Sequence, residues 1–315
     1  MPRSGEGRSD PELNRSAPYP GRMQERAPDA GRDPTRPPLA RRLLIEEVVI
    51  VLALSLLASA VFAILDLISA PVKRSVAVAT FPTYVQFQFL KELFNIVFAL
   101  APVALVFYLL ERTGEGPRGI GFDAREPGFD VGMGILLAIT VGGIGYALYR
   151  AAIALNVNRI VIPVPPEHHW WTIPILVLGA FQFALLEETV VCGYLITRLQ
   201  QLRFSVPAAV VTSAVLRGSY HLYQGWGGFA GNLTLGLFFG TLFIKWRRTW
   251  PLVIAHFLVD TAAGIGYIAN HHHLPSGVVG PVLAAVVGVT LGAIVLFRVP
   301  APRPVPSRAQ ELVRQ

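Results

Sequence analysis

The stretch "FALLEETVVCGYL", residues 183–195, places Glu187 and Glu188 side by side in an otherwise almost entirely apolar run. A charged side chain at the centre of a membrane helix costs about 3 kcal/mol on insertion scales. Two adjacent carboxylates in such a helix therefore need charged partners or a chemical task. The surrounding sequence indicates whether this run belongs to a membrane helix and what the carboxylates do there.

The composition is that of an integral membrane protein. The chain is 53% hydrophobic and 15% charged, whereas a soluble domain has about 25% charged residues. Long apolar runs, of about the 20 residues that cross a bilayer, separate short charged clusters. Because hydrocarbon cannot satisfy free backbone groups, they predict an all-α, polytopic bundle of about eight transmembrane helices. The predicted spans are 43–69, 85–111, 131–156, 173–197, 205–221, 227–244, 251–268 and 278–298.

Two polar tails flank the predicted transmembrane domain, residues 43–298. Residues 1–42 are rich in Pro, Gly and charge. They cannot bury a hydrophobic core, so we expect a disordered, basic, cytoplasmic tail. Residues 299–315 are expected to form a disordered C-terminal tail.

The net charge of +7 is explained by membrane topology and not by nucleic-acid binding. With the N-terminus inside, 21 of the 27 Lys and Arg residues fall on the inner side, and the outer loops hold three, Lys73, Arg74 and Arg159. This positive-inside bias predicts a multi-pass protein of the cell membrane with both termini in the cytoplasm. The lipid bilayer is its first expected partner.

The later half of the chain holds the ionisable residues that are candidates for function, since charged groups inside a membrane usually face the bundle interior. Arg217 and His221 are four residues apart and share a helix face, as do His256 and Asp260. The adjacent Glu187 and Glu188 differ by about 100° around the helix axis. One carboxylate can therefore face a reaction centre while the other contacts a neighbouring helix.

Other polar positions have simpler interpretations. Asp66 and the Lys91–Glu92 pair are expected to pair near the outer ends of the first two helices. The "HHWW" at 168–171 is typical of an interfacial belt, and His271–His273 lies in a polar outer loop. The single cysteine, Cys192, cannot form an internal disulfide and is expected to be a small packing residue.

Three motifs in order carry a resemblance to a known family: "EETVVCG" at 187–193, "RGSYH" at 217–221 and "HFLVD" at 256–260. They resemble the CPBP intramembrane proteases, which include type II CAAX prenyl endopeptidases and bacteriocin-processing proteins. The family pattern is E-E-x-x-x-R-G, then F-x-x-x-H, then H-x-x-x-N/D. The resemblance covers about 173–268. It implies a protease-like core there that hydrolyses a peptide bond of a membrane-associated or peptide substrate.

The resemblance also implies roles for individual residues. Glu187 and His221 would activate a water molecule, and His256 with Asp260 would stabilise the oxyanion or orient the nucleophile. The same side chains offer a metal alternative, in which Glu187, His221 and His256 ligate zinc and water takes the fourth place. The soluble H-E-x-x-H signature is absent. The sequence leaves the need for a divalent metal open and indicates no other cofactor.

Two departures from the family pattern concern charge. The family's Arg is Cys192 in this chain, and the family's Phe is Arg217. We expect Arg217, on the next helix, to supply the positive partner of Glu188, because an unpaired buried charge is strongly destabilising. These two residues would then support the catalytic set. The competing interpretation is loss of activity, which leaves a membrane scaffold or a transporter of the same fold.

The depths of the motif residues present a difficulty. At 1.5 Å per residue from the inner surface, Glu187 lies about 20 Å deep, His221 about 24 Å and His256 about 10 Å. These depths do not coincide. Convergence requires tilted helices or a helix that begins inside the bundle.

Overall fold

The computed structural model describes residues 41–69, 76–77, 85–162, 169–270 and 279–302. Its α-helices within these ranges are α1 Arg41–Leu52, α2 Ala58–Ser69, α3 Val85–Ala99, α4 Ala101–Arg112, α5 Pro127–Ala154, α6 Thr172–Glu187, α7 Ile196–Gln201, α8 Val206–Tyr220, α9 Trp226–Trp246, α10 Trp250–Ala269 and α11 Val279–Phe297. The only β-structure in the described ranges is a parallel pair of two-residue strands, β1 Val76–Ala77 and β2 Val161–Ile162. The prediction of an all-α bundle is confirmed.

Short segments of other helix types join some of these helices. The π-helical segment Ala53–Leu57 joins α1 to α2, and the π-helical segment Glu188–Leu195 joins α6 to α7. Two 3₁₀ turns, Pro117–Ile120 and Leu222–Gln224, lie in the connectors after α4 and α8. The second π-helical segment is the "EE" stretch itself, so the backbone geometry changes at the adjacent carboxylates.

Six helical stretches in the described ranges are long and apolar enough to cross a membrane: Phe89–Arg112, Pro127–Ala154, Thr172–Gln201, Trp226–Trp246, Trp250–Ala269 and Gly280–Phe297. The α1–α2 stretch is bent by 48° and would be a seventh span. The remaining predicted span coincides with α8, which has 15 residues. A helix of that length reaches about 23 Å, short of the roughly 30 Å hydrocarbon core. The chain is a multi-pass membrane protein with approximately the predicted number of helices.

Side-chain hydrogen bonds join the predicted inner segments at one end of the bundle. Arg198, near the end of α7, is fully buried and pairs with carboxylates from α1 and from the connector after α4. The contacts are Arg198–Glu47 at 2.8 Å, Arg198–Glu115 at 2.7 Å, Arg247–Gln200 at 3.0 Å and Lys245 to the Leu296 carbonyl at 2.6 Å. The predicted inner segments 112–130, 198–203 and 245–249 therefore lie together, next to α1 and the end of α11.

The turn between α9 and α10 is buried beneath the connector that follows α4. Thr249 is completely buried, and its hydroxyl donates to the Ile120 carbonyl in the connector after α4. Gly121, with φ +80°, lies against this turn so closely that a Cβ would collide with the Arg247 and Arg248 backbone. The depth of about 10 Å for His256 assumed that residue 249 lies at the surface. The contact of Thr249 with Ile120 shows that protein covers this helix start.

Close packing of α8 on α9 places the start of the second motif. A Cβ at Gly236 would lie 2.8 Å from Ala214 Cα, and a Cβ at Gly240 would lie 3.0 Å from Val210 Cγ1. The absence of side chains at these two positions lets the helices approach, as in other small-residue interfaces. The Arg159 guanidinium donates a hydrogen bond to the Tyr223 carbonyl at 2.9 Å and so holds in place the 3₁₀ turn that follows α8.

Several sequence-based expectations fall outside the described residues. They concern residues 1–40 and 303–315 of the two predicted tails, Lys73, Arg74, His168, His271–His273 and the side chain of Asp66. The helix α1 begins at Arg41, two residues before the predicted boundary of the membrane domain.

A buried ion pair holds the α9–α10 turn against α5. Arg248 Nε lies 2.5 Å from Asp130 Oδ1, and Arg248 Nη2 lies 2.6 Å from Asp130 Oδ2. Both side chains are less than one-tenth exposed. Hydrogen bonding to Asp130 raises the pKa of Arg248, so the guanidinium stays charged although it is largely buried.

Asp130→Ala should lower the free energy of unfolding by up to about 3–5 kcal/mol, because it removes the bidentate partner of the buried Arg248 guanidinium and leaves only the single contact with Asp123 at 3.1 Å. Thermal unfolding in detergent, followed by tryptophan fluorescence, measures the loss. Arg125→Ala, an exposed change in the connector just before α5, is the matched control and should leave the transition unchanged. Equal effects of the two variants would contradict a stabilising role for the pair.

Candidate active site

A cavity of about 1130 Å³ lies among the transmembrane helices. Helices α2, α3, α5, α6, α9 and α10 contribute to its walls, as do the end of α8 and the turn that follows it. The four side chains that the sequence analysis assigned to catalysis all line it: Glu187, His221, His256 and Asp260. The depth difficulty therefore does not separate them, although their catalytic roles remain predictions.

The two adjacent glutamates have different environments but share one partner. Glu187 ends α6 and lines the cavity, whereas Glu188 begins the π-helical segment and is fully buried. Arg217 nevertheless reaches both, because Nη2 lies 3.2 Å from Glu187 Oε2 and 2.5 Å from Glu188 Oε1. The expected division between a cavity carboxylate and a contacting carboxylate is present. The convergence of both on one guanidinium was not expected, and it coincides with the change from α- to π-helical geometry at Glu188.

The ion pair expected between Arg217 and Glu188 is present and bidentate. Arg217 Nη1 lies 3.1 Å from Glu188 Oε2, in addition to the contact of Nη2 with Oε1. Both side chains are completely buried. Such fork-to-carboxylate pairing combines charge with a fixed geometry. Cys192 is also buried, close to the same two charges, as relocation of the family's arginine requires.

His256 is held between the buried pair and Asp260. Its Nδ1 lies 2.8 Å from Glu188 Oε1 and 3.2 Å from Arg217 Nη2. The two hydrogens of Arg217 Nη2 are directed to the two carboxylates, so His256 Nδ1 carries a hydrogen and donates it to Glu188.

The other ring nitrogen of His256 faces a carboxylate. Nε2 lies 3.3 Å from Asp260 Oδ2, and a hydrogen bond between them requires a proton on one of the two groups. His256 and Asp260 therefore hold an exchangeable proton at the cavity wall.

His221 follows the last residue of α8, and its Nδ1 lies 3.0 Å from the Arg217 carbonyl. A carbonyl only accepts hydrogen bonds, so Nδ1 carries the hydrogen and Nε2 of the neutral ring is a free base. The same backbone turn thus orients the imidazole and carries the arginine that binds both glutamates. The tautomer follows from this hydrogen bond.

The sequence analysis missed Tyr220 and Gln182. The Tyr220 hydroxyl donates to Glu187 Oε2 at 2.8 Å and lines the cavity. Gln182 is 3% exposed, lines the same cavity, and its Nε2 has no hydrogen-bond partner among the described residues. The available signals were a phenol directly before a motif histidine and an amide in an apolar helix five residues before Glu187.

The functional candidates form one connected cluster. Glu187 Oε2 and His256 Nδ1 each lie 3.2 Å from Arg217 Nη2, so they are at most twice that distance apart. Asp260 joins through His256, and His221 joins through the Arg217 carbonyl. The side chains that line the cavity therefore belong to one network of polar contacts.

Comparison with known families places this cluster in a defined domain. The family model described as type II CAAX prenyl endopeptidase Rce1-like matches residues 169–262. This segment is similar to an Rce1-like domain. It contains the whole cluster from Glu187 to Asp260 and supports membership of the CPBP family of membrane proteases. Neither the curated proteins nor the solved structures contain a match to the chain.

The cluster of the Rce1-like domain does not fit a metal ion. The described residues contain no group of three or more His, Cys, Asp or Glu side chains arranged to hold one. Arg217 Nη2 itself lies within 3.2 Å of Glu187, Glu188 and His256. A divalent cation bound to these atoms would lie against a permanent positive charge. The guanidinium thus contacts two of the three side chains, Glu187 and His256, that the zinc hypothesis assigned as ligands.

The purified protein should therefore hold no stoichiometric zinc, since Arg217 already neutralises the carboxylates. Elemental analysis by mass spectrometry measures the content, with His256→Ala as the control, and the two proteins should have the same background level. Cleavage should persist after dialysis against a chelator. One equivalent of zinc in the wild type that His256→Ala loses would contradict this interpretation.

The relocated charge can be tested by coupling. Arg217→Phe should strand Glu188 and lower the free energy of unfolding by about 3–5 kcal/mol, the usual effect of breaking a buried pair. Cys192→Arg together with Arg217→Phe restores the family pattern and should recover part of this loss. Thermal stability in detergent is measured for the wild type, both single variants and the double variant. Strictly additive effects would show that positions 192 and 217 do not share Glu188 as a partner.

Proposed function

We propose that the protein is an intramembrane endopeptidase that hydrolyses a peptide bond by water that Glu187 and His221 activate. The supporting observation is that Glu187, His221 and His256, from three different helical segments, line one cavity in the Rce1-like domain. Glu188 and Arg217 support this set from behind the cavity wall. The substrate is a membrane-associated protein or a peptide, and the lipid bilayer is the second partner.

Water activation is assigned to two bases. Tyr220 and Arg217 both donate to Glu187 Oε2, which leaves the other carboxylate oxygen to accept a proton from water. His221 offers its unprotonated Nε2, because its Nδ1 donates to a carbonyl. The water oxygen bonds to the peptide carbonyl carbon while its proton passes to one of these bases. General-base assistance of this kind contributes about 10²–10⁴-fold.

We assign to His256 the stabilisation of the negative charge that develops on the carbonyl oxygen. Its Nε2, with the proton shared with Asp260, donates to the oxyanion, and its Nδ1–H is held by Glu188. Collapse of the tetrahedral intermediate breaks the C–N bond, and the proton taken from water passes to the leaving nitrogen. Asp260 is a positioning residue in this scheme, since it acts through His256.

The membrane setting favours a substrate with apolar surroundings. The cavity wall extends from the cluster to apolar side chains of other helices, among them Phe62, Ile96 and Leu235. Since the matching family model is described as a CAAX prenyl endopeptidase, a farnesylated CAAX peptide is the first probe. With the basic segments at one end of the bundle and the positive-inside bias, we place both termini in the cytoplasm.

Glu187→Gln should lower cleavage by about 10²-fold or more while the protein still inserts and folds, because the amide cannot accept the proton. His221→Ala and His256→Ala should have comparable effects, and Asp260→Asn should lose less. Glu46→Gln is the matched control, since Glu46 is also the first residue of an "EE" pair but is half-exposed and paired with Arg42. Cleavage is followed with the farnesylated peptide in detergent.

A second measurement identifies the peptide termini present in native membranes that contain the wild type or Glu187→Gln. Termini that depend on the wild type and disappear with Glu187→Gln would support the proposal even if the farnesylated peptide is not a substrate. Unchanged termini together with full peptide cleavage by Glu187→Gln would contradict it. A scaffold or transporter of the same fold would keep its cellular role without Glu187, so complementation by Glu187→Gln would favour that alternative.

A further inference from the structure

A second cavity, of about 520 Å³, lies at the end of the bundle where the basic segments meet. Its lining residues are Arg41, Leu44, Gln201, Leu202, Arg203 and Phe204. They come from the start of α1, the last residue of α7 and the connector before α8. This cavity is separate from the candidate active site, with which it shares no lining residue.

The two arginines of this cavity differ from their neighbours in charge pairing. Arg42 pairs with Glu46, and Arg198 pairs with Glu47 and Glu115. Neither Arg41 nor Arg203 has an ion-pair partner among the described residues, and both are exposed. The cavity therefore presents two guanidinium groups without a counter-ion from the described part of the chain.

The remaining lining residues are apolar side chains and one glutamine that already has hydrogen-bond partners. Leu44 and Leu202 are buried, whereas Phe204 is 43% exposed. Gln201 donates to Glu115 Oε1 at 2.8 Å and accepts from Arg198 at 2.9 Å. A ligand in this cavity would thus meet positive charge and apolar surface together. An anionic headgroup with an attached acyl chain has this combination.

The position of the cavity supports the same chemistry. The cavity lies where the first helix begins and where α7 gives way to α8, which is the level of helix ends and not of the hydrocarbon core. Lipid phosphates lie at this level, and basic pockets between helix ends on the cytoplasmic side bind anionic headgroups. Guanidinium groups match the geometry of phosphate oxygens.

We propose that Arg41 and Arg203 form a binding site for the phosphate of an anionic phospholipid, whose acyl chain lies on the exposed Phe204. Binding at this site ties the first helix to the α7–α8 connector through the lipid. The site does not depend on the proposed proteolytic activity.

Thermal unfolding in a zwitterionic detergent provides the test, with titration of phosphatidylglycerol, phosphatidylcholine or inorganic phosphate. Phosphatidylglycerol should raise the transition temperature in a saturable way, and the other two should not. Arg41→Gln combined with Arg203→Gln should weaken the apparent affinity at least about tenfold, since each juxtamembrane charge contributes to anionic lipid binding. Arg118→Gln with Arg125→Gln, two exposed arginines of the connector after α4, should leave it unchanged.

Native mass spectrometry supplies a second readout that does not depend on the stability of the variant. The wild type and the Arg118/Arg125 control should retain phosphatidylglycerol, and the Arg41/Arg203 variant should lose one bound molecule. Equal stabilisation by phosphatidylcholine or by free phosphate would overturn the proposal that the ligand is an anionic phospholipid. Equal loss in the two double variants, or retention by both, would overturn the assignment of the site.

Discussion

The contact of one guanidinium with two adjacent carboxylates is the constraint on which the site depends. Arg217 is completely buried and binds Glu187, Glu188 and the edge of His256. Removing Arg217 would leave two neighbouring carboxylates uncompensated in a medium of low dielectric constant. The α6–α7 span, α8 and α10 are therefore locked in one relative arrangement. In that arrangement the candidate bases face a cavity while the positive charge stays behind them.

Much of this arrangement was predictable from the sequence. Apolar run length predicted the helices, and the excess of Lys and Arg on alternate connectors predicted which segments lie together. The spacing of Arg217 from His221, and of His256 from Asp260, predicted the helix faces. The Arg217–Glu188 pair followed from the rule that a buried charge needs a partner. Each of these inferences rests on the spacing of nearby residues or on the need of a buried charge for a partner of opposite sign.

The remaining features depend on tertiary context. Nothing in the local pattern indicates that α10 begins beneath the connector after α4, because Trp250 and Pro251 look like an ordinary helix start at an interface. The hydrogen bond of Tyr220 to Glu187 likewise joins two helices, between residues 33 positions apart in the sequence. The π-helical segment at Glu188 changes which neighbour each carboxylate reaches, and helix-wheel angles do not include it.

The buried start of α10 has a consequence for biogenesis. The connector that covers it, with Ile120 and Gly121, precedes it by more than a hundred residues. During synthesis this covering segment emerges first, and the α9–α10 turn has to dock beneath it after most of the chain has left the ribosome. Helix α10 carries His256 and Asp260, so the ionic cluster is completed only at this late docking step.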